Sequence, residues 1–218
     1  MEAFEKIIGW MPALINATGT TLWLTVTSVL TALVLGIFLA LGKISSNPFI
    51  NKPATAYVFF FRGTPLLIQL FIIYFGLPLI HPSLVFSRGM AAYVAFSLNI
   101  AAYLAEIIRA AIQSIDKGQM EASRSLGLSY GQAMRLVIIP QSYRRMIPPV
   151  CNEFVMVLKD TALVSIIALP DLTFQTKMIA SSSATALVYV PALIIYLILT
   201  MVFTVVFNRL EKKFSVYE

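Results

Sequence analysis

Cysteine and histidine are almost missing from this 218-residue chain, which has one of each, Cys151 and His81. A single cysteine cannot form a disulfide within the chain, and these two residues cannot build a zinc site of Cys and His ligands. We therefore expect no metal site. His81 is interpreted as a loop residue and Cys151 as a small residue for helix packing.

The sequence also lacks a nucleotide-binding motif. The run Gly36–Lys43 has five residues between its glycines where a phosphate loop has four, and Ile44 stands where Ser or Thr is needed. We expect neither catalytic residues nor a bound cofactor in this chain. Any ATP hydrolysis that it uses would come from another polypeptide.

Charged residues are scarce as well. They make up 12% of the chain, hydrophobic residues make up 59%, and the mean hydropathy is +0.84. These values exclude an ordinary soluble globular domain and indicate an all-α integral membrane protein.

The uncharged stretches predict where the chain crosses the membrane, since a crossing needs about 20 apolar residues. A fourth crossing is interrupted by Glu153, Lys159 and Asp160 and requires that these charges face protein or water. We predict five transmembrane helices, at residues 18–41, about 57–88, 90–108, 147–169 and 187–207.

The basic residues predict the orientation of these helices, because positive charge concentrates on the cytoplasmic side. Only Lys6, Arg88 and Lys177 fall clearly on the other side of the five-helix scheme. We expect the N-terminus outside and the C-terminus inside, with residues 1–17 as an external interfacial segment before a single transmembrane domain at 18–218. The cytoplasmic set is Lys43, Lys52, Arg109, Lys117, Arg124, Arg135, Arg144, Arg145, Arg209, Lys212 and Lys213. These topology signals, with contacts to anionic lipid, account for the net charge of +6 without a nucleic-acid partner.

A polar segment at about 116–140 stands out from the apolar background. Asp116 with Gln119, and Ser129 with Gln132, have the spacing of helix-capping pairs, and Gly127 suits the left-handed end of a helix. Pro140 is expected to end the second helix. The pattern predicts a helix-turn-helix, for which an ordinary amphipathic surface helix is the alternative.

This segment resembles the cytoplasmic coupling loop of ABC-importer permeases, which reads Glu-Ala-Ala, three residues, Gly, nine residues, Ile, any residue, Leu, Pro. Here Glu121, Ala122 and Ser123 precede Gly127 at that spacing, and residues 137–140 read VIIP. Further segments resemble the polar amino acid branch of the family, and together they extend from Arg62 to Leu163: RGTPLL at 62–67, AEIIRA at 105–110, PQ at 140–141, NEF at 152–154 and LKDTAL at 158–163.

The resemblance implies the type I ABC importer permease fold, with this chain forming half of the pore in a bacterial inner or plasma membrane. Its implied partners are ABC ATPase subunits that bind ATP and Mg, a second permease copy or paralogue, and an extracellular or periplasmic solute-binding protein. The implied cargo is an amino acid, with cystine, glutamine, arginine and histidine all open. The residues implied to couple to the ATPase are Glu121, Ala122, Ser123, Arg124, Gly127 and Pro140.

Polar groups within predicted spans are candidates for a substrate pathway, because they are costly in lipid unless they are paired or face a cavity. Glu153 and Asp160 are seven residues apart on one helix face, where either can pair with the ammonium of an amino acid. Asn99, Gln69 and Lys159 complete the set, although Lys159 can equally neutralise a neighbouring helix.

Arg62 and Glu106 lie near predicted cytoplasmic helix ends, and for them snorkelling or an ion pair is the better interpretation.

An ion-coupled secondary transporter of small polar solutes is the alternative function, with Glu153, Lys159 and Asp160 as ion-coupling groups. Many such transporters have internal repeats with broken helices, and the sequence shows neither a convincing repeat nor a pair of Gly and Pro interruptions. A non-catalytic membrane scaffold would leave the 116–140 segment unexplained.

Overall fold

A computed structural model describes residues 2–214 and the side chains of residues 3–212. Met1 and residues 215–218, which belong to the two predicted domains, lie outside that range, and so does the side chain of Lys213, one of the predicted topology signals. The described part is helical throughout its regular structure, without strands. The predicted all-α class is therefore confirmed.

Ten α-helices follow one another in the described residues 2–214, joined in places by wider π or tighter 3₁₀ turns. Several helices begin at a side-chain cap, such as Asn47 before α2, Ser87 before α5 and Asp171 before α9. The helices are α1 (Glu2–Ile44), α2 (Pro48–Gly63), α3 (Leu66–Phe71), α4 (Leu77–Ile80), α5 (Arg88–Gln113), α6 (Lys117–Ser125), α7 (Tyr130–Ala133), α8 (Ile139–Asp160), α9 (Leu172–Ser182) and α10 (Tyr189–Phe214).

The centre of the fold is α5, which packs along α1. Seven alanines on α5 are buried, and Gly36 of α1 lies so close that an added Cβ would be 3.0 Å from the Cβ of Leu104. Small residues let helix backbones approach closely in a membrane, where packing and not water exclusion holds helices together. Phe96 and Leu104 fill the core between them.

Three described helices are long and apolar enough to cross a membrane: Ala3–Ile44, Arg88–Gln113 and Ala186–Lys212. They contain the first, third and fifth predicted spans. Residues 1–17 were predicted to form a separate segment. In the structure no helix boundary falls at Ala17, because α1 runs without a break from Glu2 to Ile44, 43 residues in all. Trp10 and Leu14 of that segment already pack against Leu172 and Val188.

The second predicted span is not one straight helix. It consists of α2 and of a helical run over residues 66–80, which meet at an angle of 101°. Thr64 is extended because it precedes Pro65, and Pro65 has no N–H to continue the helix. The described chain therefore contains a break in a predicted membrane helix between Gly63 and Pro65, which sequence inspection missed.

The fourth predicted span is part of a continuous helical run from Tyr130 to Ile167. This run comprises α7, a π turn at Met134–Ile138, α8 and a 3₁₀ turn at Thr161–Ile167, and it ends at Ala168 in a left-handed conformation. Its charged residues keep it outside the set of plainly apolar spans. The total of five crossings stays a prediction.

Candidate functional site

The 116–140 segment forms the predicted helix-turn-helix. The Asp116 carboxylate accepts a hydrogen bond from the Gly118 N–H at 2.7 Å and caps α6, and Ser129 and Gln132 form a reciprocal capping box on α7. Gly127 ends α6 with a φ of +88°.

The turn at Gly127 is a complete Schellman motif. The Leu128 N–H donates to the Ser123 carbonyl at 3.2 Å, and the Gly127 N–H donates to the Arg124 carbonyl at 3.0 Å. No neighbouring atom lies within 4 Å of a Cβ placed on Gly127. Glycine is needed here for its backbone conformation, since a side chain would have open space.

Two details of the predicted segment are wrong. The Gln119 side chain does not reach back to cap α6, because its Oε1 accepts a hydrogen bond from Gln141 Nε2 at 3.3 Å. Pro140 does not end a helix either, because it lies in the first turn of α8. The π turn before it widens the helix, so that the Ile139 N–H bonds to the Met134 carbonyl and the proline ring is accommodated.

Most residues of the predicted coupling set are available to a partner. Glu121, Ala122, Arg124, Gly127 and Pro140 are exposed. The exception is the Ser123 side chain, which is buried and donates to the Gln119 carbonyl at 2.6 Å. The Ser123 hydroxyl is therefore used within α6, and its side chain has no free surface for a partner.

Leu126 is an exposed residue of this segment that sequence reasoning missed. Its side chain is 85% exposed at the turn that ends α6. The available signal was a leucine next to the capping glycine of an otherwise polar helix.

The base of the segment is tied to the long helical run. The Arg145 guanidinium donates to the Ser114 carbonyl beyond the end of α5, and the Gln141 amide contacts Gln119 of α6. The Arg145 bond joins the end of α5 to α8, and the Gln141 bond joins α6 to α8.

The other end of α8 lines a polar cavity with a volume of about 390 Å³. Three of the five predicted substrate-pathway residues meet there: Asn99 from α5, and Glu153 and Asp160 from α8. The opposite wall is the break between α2 and α3. The full lining is Arg62, Gly63, Thr64, Pro65, Leu66, Phe96, Asn99, Ile100, Tyr103, Glu153, Met156, Val157 and Asp160.

The two remaining candidates, Lys159 and Gln69, are not part of this lining. Lys159 is exposed outside the cavity. Gln69 is 4% exposed and hydrogen-bonds to the backbone behind the cavity wall. A buried amide in a predicted span could equally face substrate or backbone, and the sequence did not distinguish the two.

Arg62 is a cavity residue that sequence reasoning assigned only a structural role. Its guanidinium lies 5.3 Å from the centroid of the Tyr103 ring and 3.9 Å from the Glu106 carboxylate. Glu106 also contacts Lys43, and it accepts hydrogen bonds from Arg109 at 2.7 and 3.0 Å. The ion pair predicted for Arg62 and Glu106 is thus one of several around a single carboxylate.

We expect that replacing Glu106 with Gln destabilises the protein, because three cations from α1, α2 and α5 then share no carboxylate. Hydrogen bonds to charged groups contribute about 1.5–3 kcal/mol each, and Glu106 is largely buried. Thermal melting of the purified protein in detergent should give a clearly lower midpoint. Glu5→Gln is the control, since it makes the same change at an exposed position of α1. Equal midpoints for the two variants would contradict this account of Glu106.

Metal binding finds no support in the described residues, which contain no group of three His, Cys, Asp or Glu side chains placed to hold an ion. The polar groups that converge are instead one arginine, two carboxylates and one amide around a cavity.

Membrane-length helices around a polar cavity, together with the exposed helix-turn-helix at 116–140, fit the membrane component of a transport system. More narrowly, the chain belongs to the family described as "Binding-protein-dependent transport system inner membrane component", whose model matches residues 32–216.

Its relatives are amino acid transporters. The chain is 41% identical over 207 residues to the Bacillus subtilis "Probable amino-acid ABC transporter permease protein YckA", covering 94% of this chain and 91% of that protein. It is 39% identical over 214 residues to the B. subtilis "Arginine transport system permease protein ArtQ", covering 96% of each. A solved structure, "Crystal structure of an amino acid ABC transporter with histidines", superposes with a TM-score of 0.90 at 39% identity, covering 96% of this chain and 98% of that one.

These relatives confirm the resemblance drawn from the sequence motifs. The chain is an ABC transporter permease of the amino acid uptake branch, with membrane-spanning helices and the fold of that group.

Proposed function

We propose that this chain is the pore-forming subunit of an ATP-driven amino acid importer and couples ATP hydrolysis by a separate ATPase to alternating access. The observation that carries this proposal is the continuous helical run from Tyr130 to Ile167. One end of it belongs to the exposed 116–140 segment and the other end lines the polar cavity. Movement of the segment would therefore reach the cavity through one helical body.

The proposed assembly has two permeases, this chain with an identical or similar one, and two ABC ATPases. Glu121, Ala122, Arg124 and Leu126 supply the exposed surface on which an ATPase docks. ATP and Mg bind to that ATPase, and this chain performs no catalysis. A solute-binding protein delivers the amino acid on the outer side.

The proposed topology has five crossings with the N-terminus outside and the C-terminus in the cytoplasm. Its support is the asymmetry of basic residues, most of which fall on the side of the 116–140 segment in this scheme. We place the protein in a bacterial inner or plasma membrane, in contact with lipid on the exposed apolar faces of α1 and α10.

The cavity is proposed to bind the amino acid during transport. Arg62 belongs to a cluster of three cations around one carboxylate, so positive charge is left to attract the carboxylate of a substrate. Glu153 and Asp160 supply two negative charges on the opposite wall. One of them pairs with the α-ammonium and the other is free for a cationic side chain, which favours arginine, lysine or protonated histidine over neutral amino acids.

Native purification tests the assembly. The chain would be tagged, extracted gently from its own membranes and analysed by mass spectrometry for companions at fixed ratio. We expect an ABC ATPase at one copy per permease. Recovery of the chain without an ATPase, together with uptake that needs an ion gradient and no ATP, would favour the secondary transporter instead.

A further inference from the structure

The break between α2 and α3 creates a hydrogen-bonding problem inside the helix bundle. A helix that ends within a membrane leaves its last carbonyl oxygens without intrahelical partners, and no lipid can replace them. The backbone from Phe61 to Pro65 turns here through 101°. Its free carbonyls need donors from elsewhere in the fold.

Gln69 supplies most of those donors. Its Nε2 lies 3.0 Å from the Phe61 carbonyl oxygen, 3.0 Å from the Thr64 carbonyl oxygen and 2.8 Å from Thr64 Oγ1. Its Oε1 accepts a hydrogen bond from Asn99 Nδ2 at 2.9 Å, and Asn99 Nδ2 also reaches the Phe61 carbonyl at 3.0 Å. Both amides are over nine-tenths buried.

The backbone that these bonds hold is one wall of the cavity. Arg62, Gly63, Thr64 and Pro65 line it, whereas Gln69 lies behind them and does not. Thr64 is fixed a second time, since its hydroxyl donates to the Phe60 carbonyl at 2.8 Å. The separation between Arg62 and the acidic wall of α8 therefore depends on a side chain that does not line the cavity.

We propose that Gln69 is a positioning residue that fixes the α2–α3 break and thereby the distance across the cavity. It sets how tightly every amino acid binds, while the charged lining residues set which amino acid is preferred. This inference rests on the proposed function of the cavity. It replaces the expectation that Gln69 contacts the substrate.

The test is Gln69→Leu, which keeps the approximate size of the side chain and removes every hydrogen bond that Gln69 itself makes. Affinities for arginine and for glutamine would be measured by calorimetry on the assembled complex in nanodiscs. We expect both affinities to fall by a similar factor of about 10, and hydrogen exchange at residues 62–68 to become faster. Unchanged affinities, or a loss confined to one amino acid, would overturn the proposal.

Thr64 offers a second, milder pair of variants in case Gln69→Leu does not assemble. Thr64→Val removes the hydroxyl that contacts Gln69, and Thr64→Ser keeps it. We expect hydrogen exchange at residues 62–68 to be about two- to fourfold faster in Thr64→Val than in Thr64→Ser, because only Thr64→Ser keeps the contact with Gln69. Equal behaviour of the two variants would overturn the proposed role.

The exchange measurement separates this inference from the proposed function. Exchange at residues 62–68 can become faster in Gln69→Leu while the wild-type complex binds no amino acid at the cavity. That outcome would reject the cavity as the substrate site. Unchanged exchange with normal wild-type binding would reject the role of Gln69 alone.

Discussion

Replacing Gly127 with Val is expected to reduce ATP-driven uptake about tenfold while leaving insertion in the membrane intact. Gly127 has a φ of +88°, and an L-residue in the left-handed region costs about 1–2 kcal/mol, with β-branched residues the least tolerant. That cost shifts the equilibrium away from the Schellman conformation by a factor of about 5–30. The exposed surface of α6 would then be displaced from the ATPase.

The matched control at this position is Gly127→Asn. Asparagine tolerates the left-handed region, and a side chain at this position meets no neighbouring atom within 4 Å of its Cβ. Gly127→Asn should therefore transport at close to the wild-type rate. Uptake into proteoliposomes and substrate-stimulated ATP hydrolysis would be compared for the three proteins. Normal coupling in Gly127→Val would contradict the role of this turn.

The second large effect is expected from Glu153→Gln, which removes one of the two negative charges of the cavity at nearly constant shape. Uptake of arginine should fall at least tenfold, because a charge-assisted hydrogen bond in a half-buried site is replaced by a neutral one. Uptake of glutamine should change much less, because Asp160 still pairs with the α-ammonium. The measurement is competition between labelled arginine and unlabelled glutamine.

The control for Glu153→Gln is Glu121→Gln, the same chemical change on the exposed face of α6. It should leave the ratio of arginine to glutamine uptake unaltered even if it lowers the rate. The ATPase should copurify with Glu153→Gln as with the wild type. An unchanged substrate profile in Glu153→Gln would remove this carboxylate from the substrate site.

Local patterns predicted the 116–140 segment well, because caps and left-handed turns depend on a few neighbouring residues. Ser129, Gln132 and Gly127 take the conformations that their spacing indicates. The rule failed at Pro140, since the preceding π turn accommodates the proline within a continuous helix. Such a turn depends on the packing of the whole helical run and has no reliable local signal.

The second predicted span shows a different limit. Apolar composition predicted a crossing, and it gave no indication of a 101° bend at Gly63–Pro65. The bend is stabilised by Gln69 and by Asn99, which is 30 residues further along the chain. Contacts over that separation cannot be read from hydropathy.

The cavity was predicted in part, for a physical reason. Glu153 and Asp160 are charges within an apolar stretch, and a cavity is what makes such charges tolerable. Arg62 was assigned to snorkelling or an ion pair because it is near a helix end, and only the bend places it on the cavity wall. Lys159, on the same helix as the two carboxylates, lies outside the cavity lining.

The most direct test of the account is uptake of labelled arginine into proteoliposomes that contain this chain, its copurified ATPase and its solute-binding protein. The account predicts uptake that requires ATP inside the vesicles, persists without an ion gradient, and falls about tenfold in Gly127→Val but is retained in Gly127→Asn. Uptake that follows an imposed ion gradient and ignores ATP would contradict it.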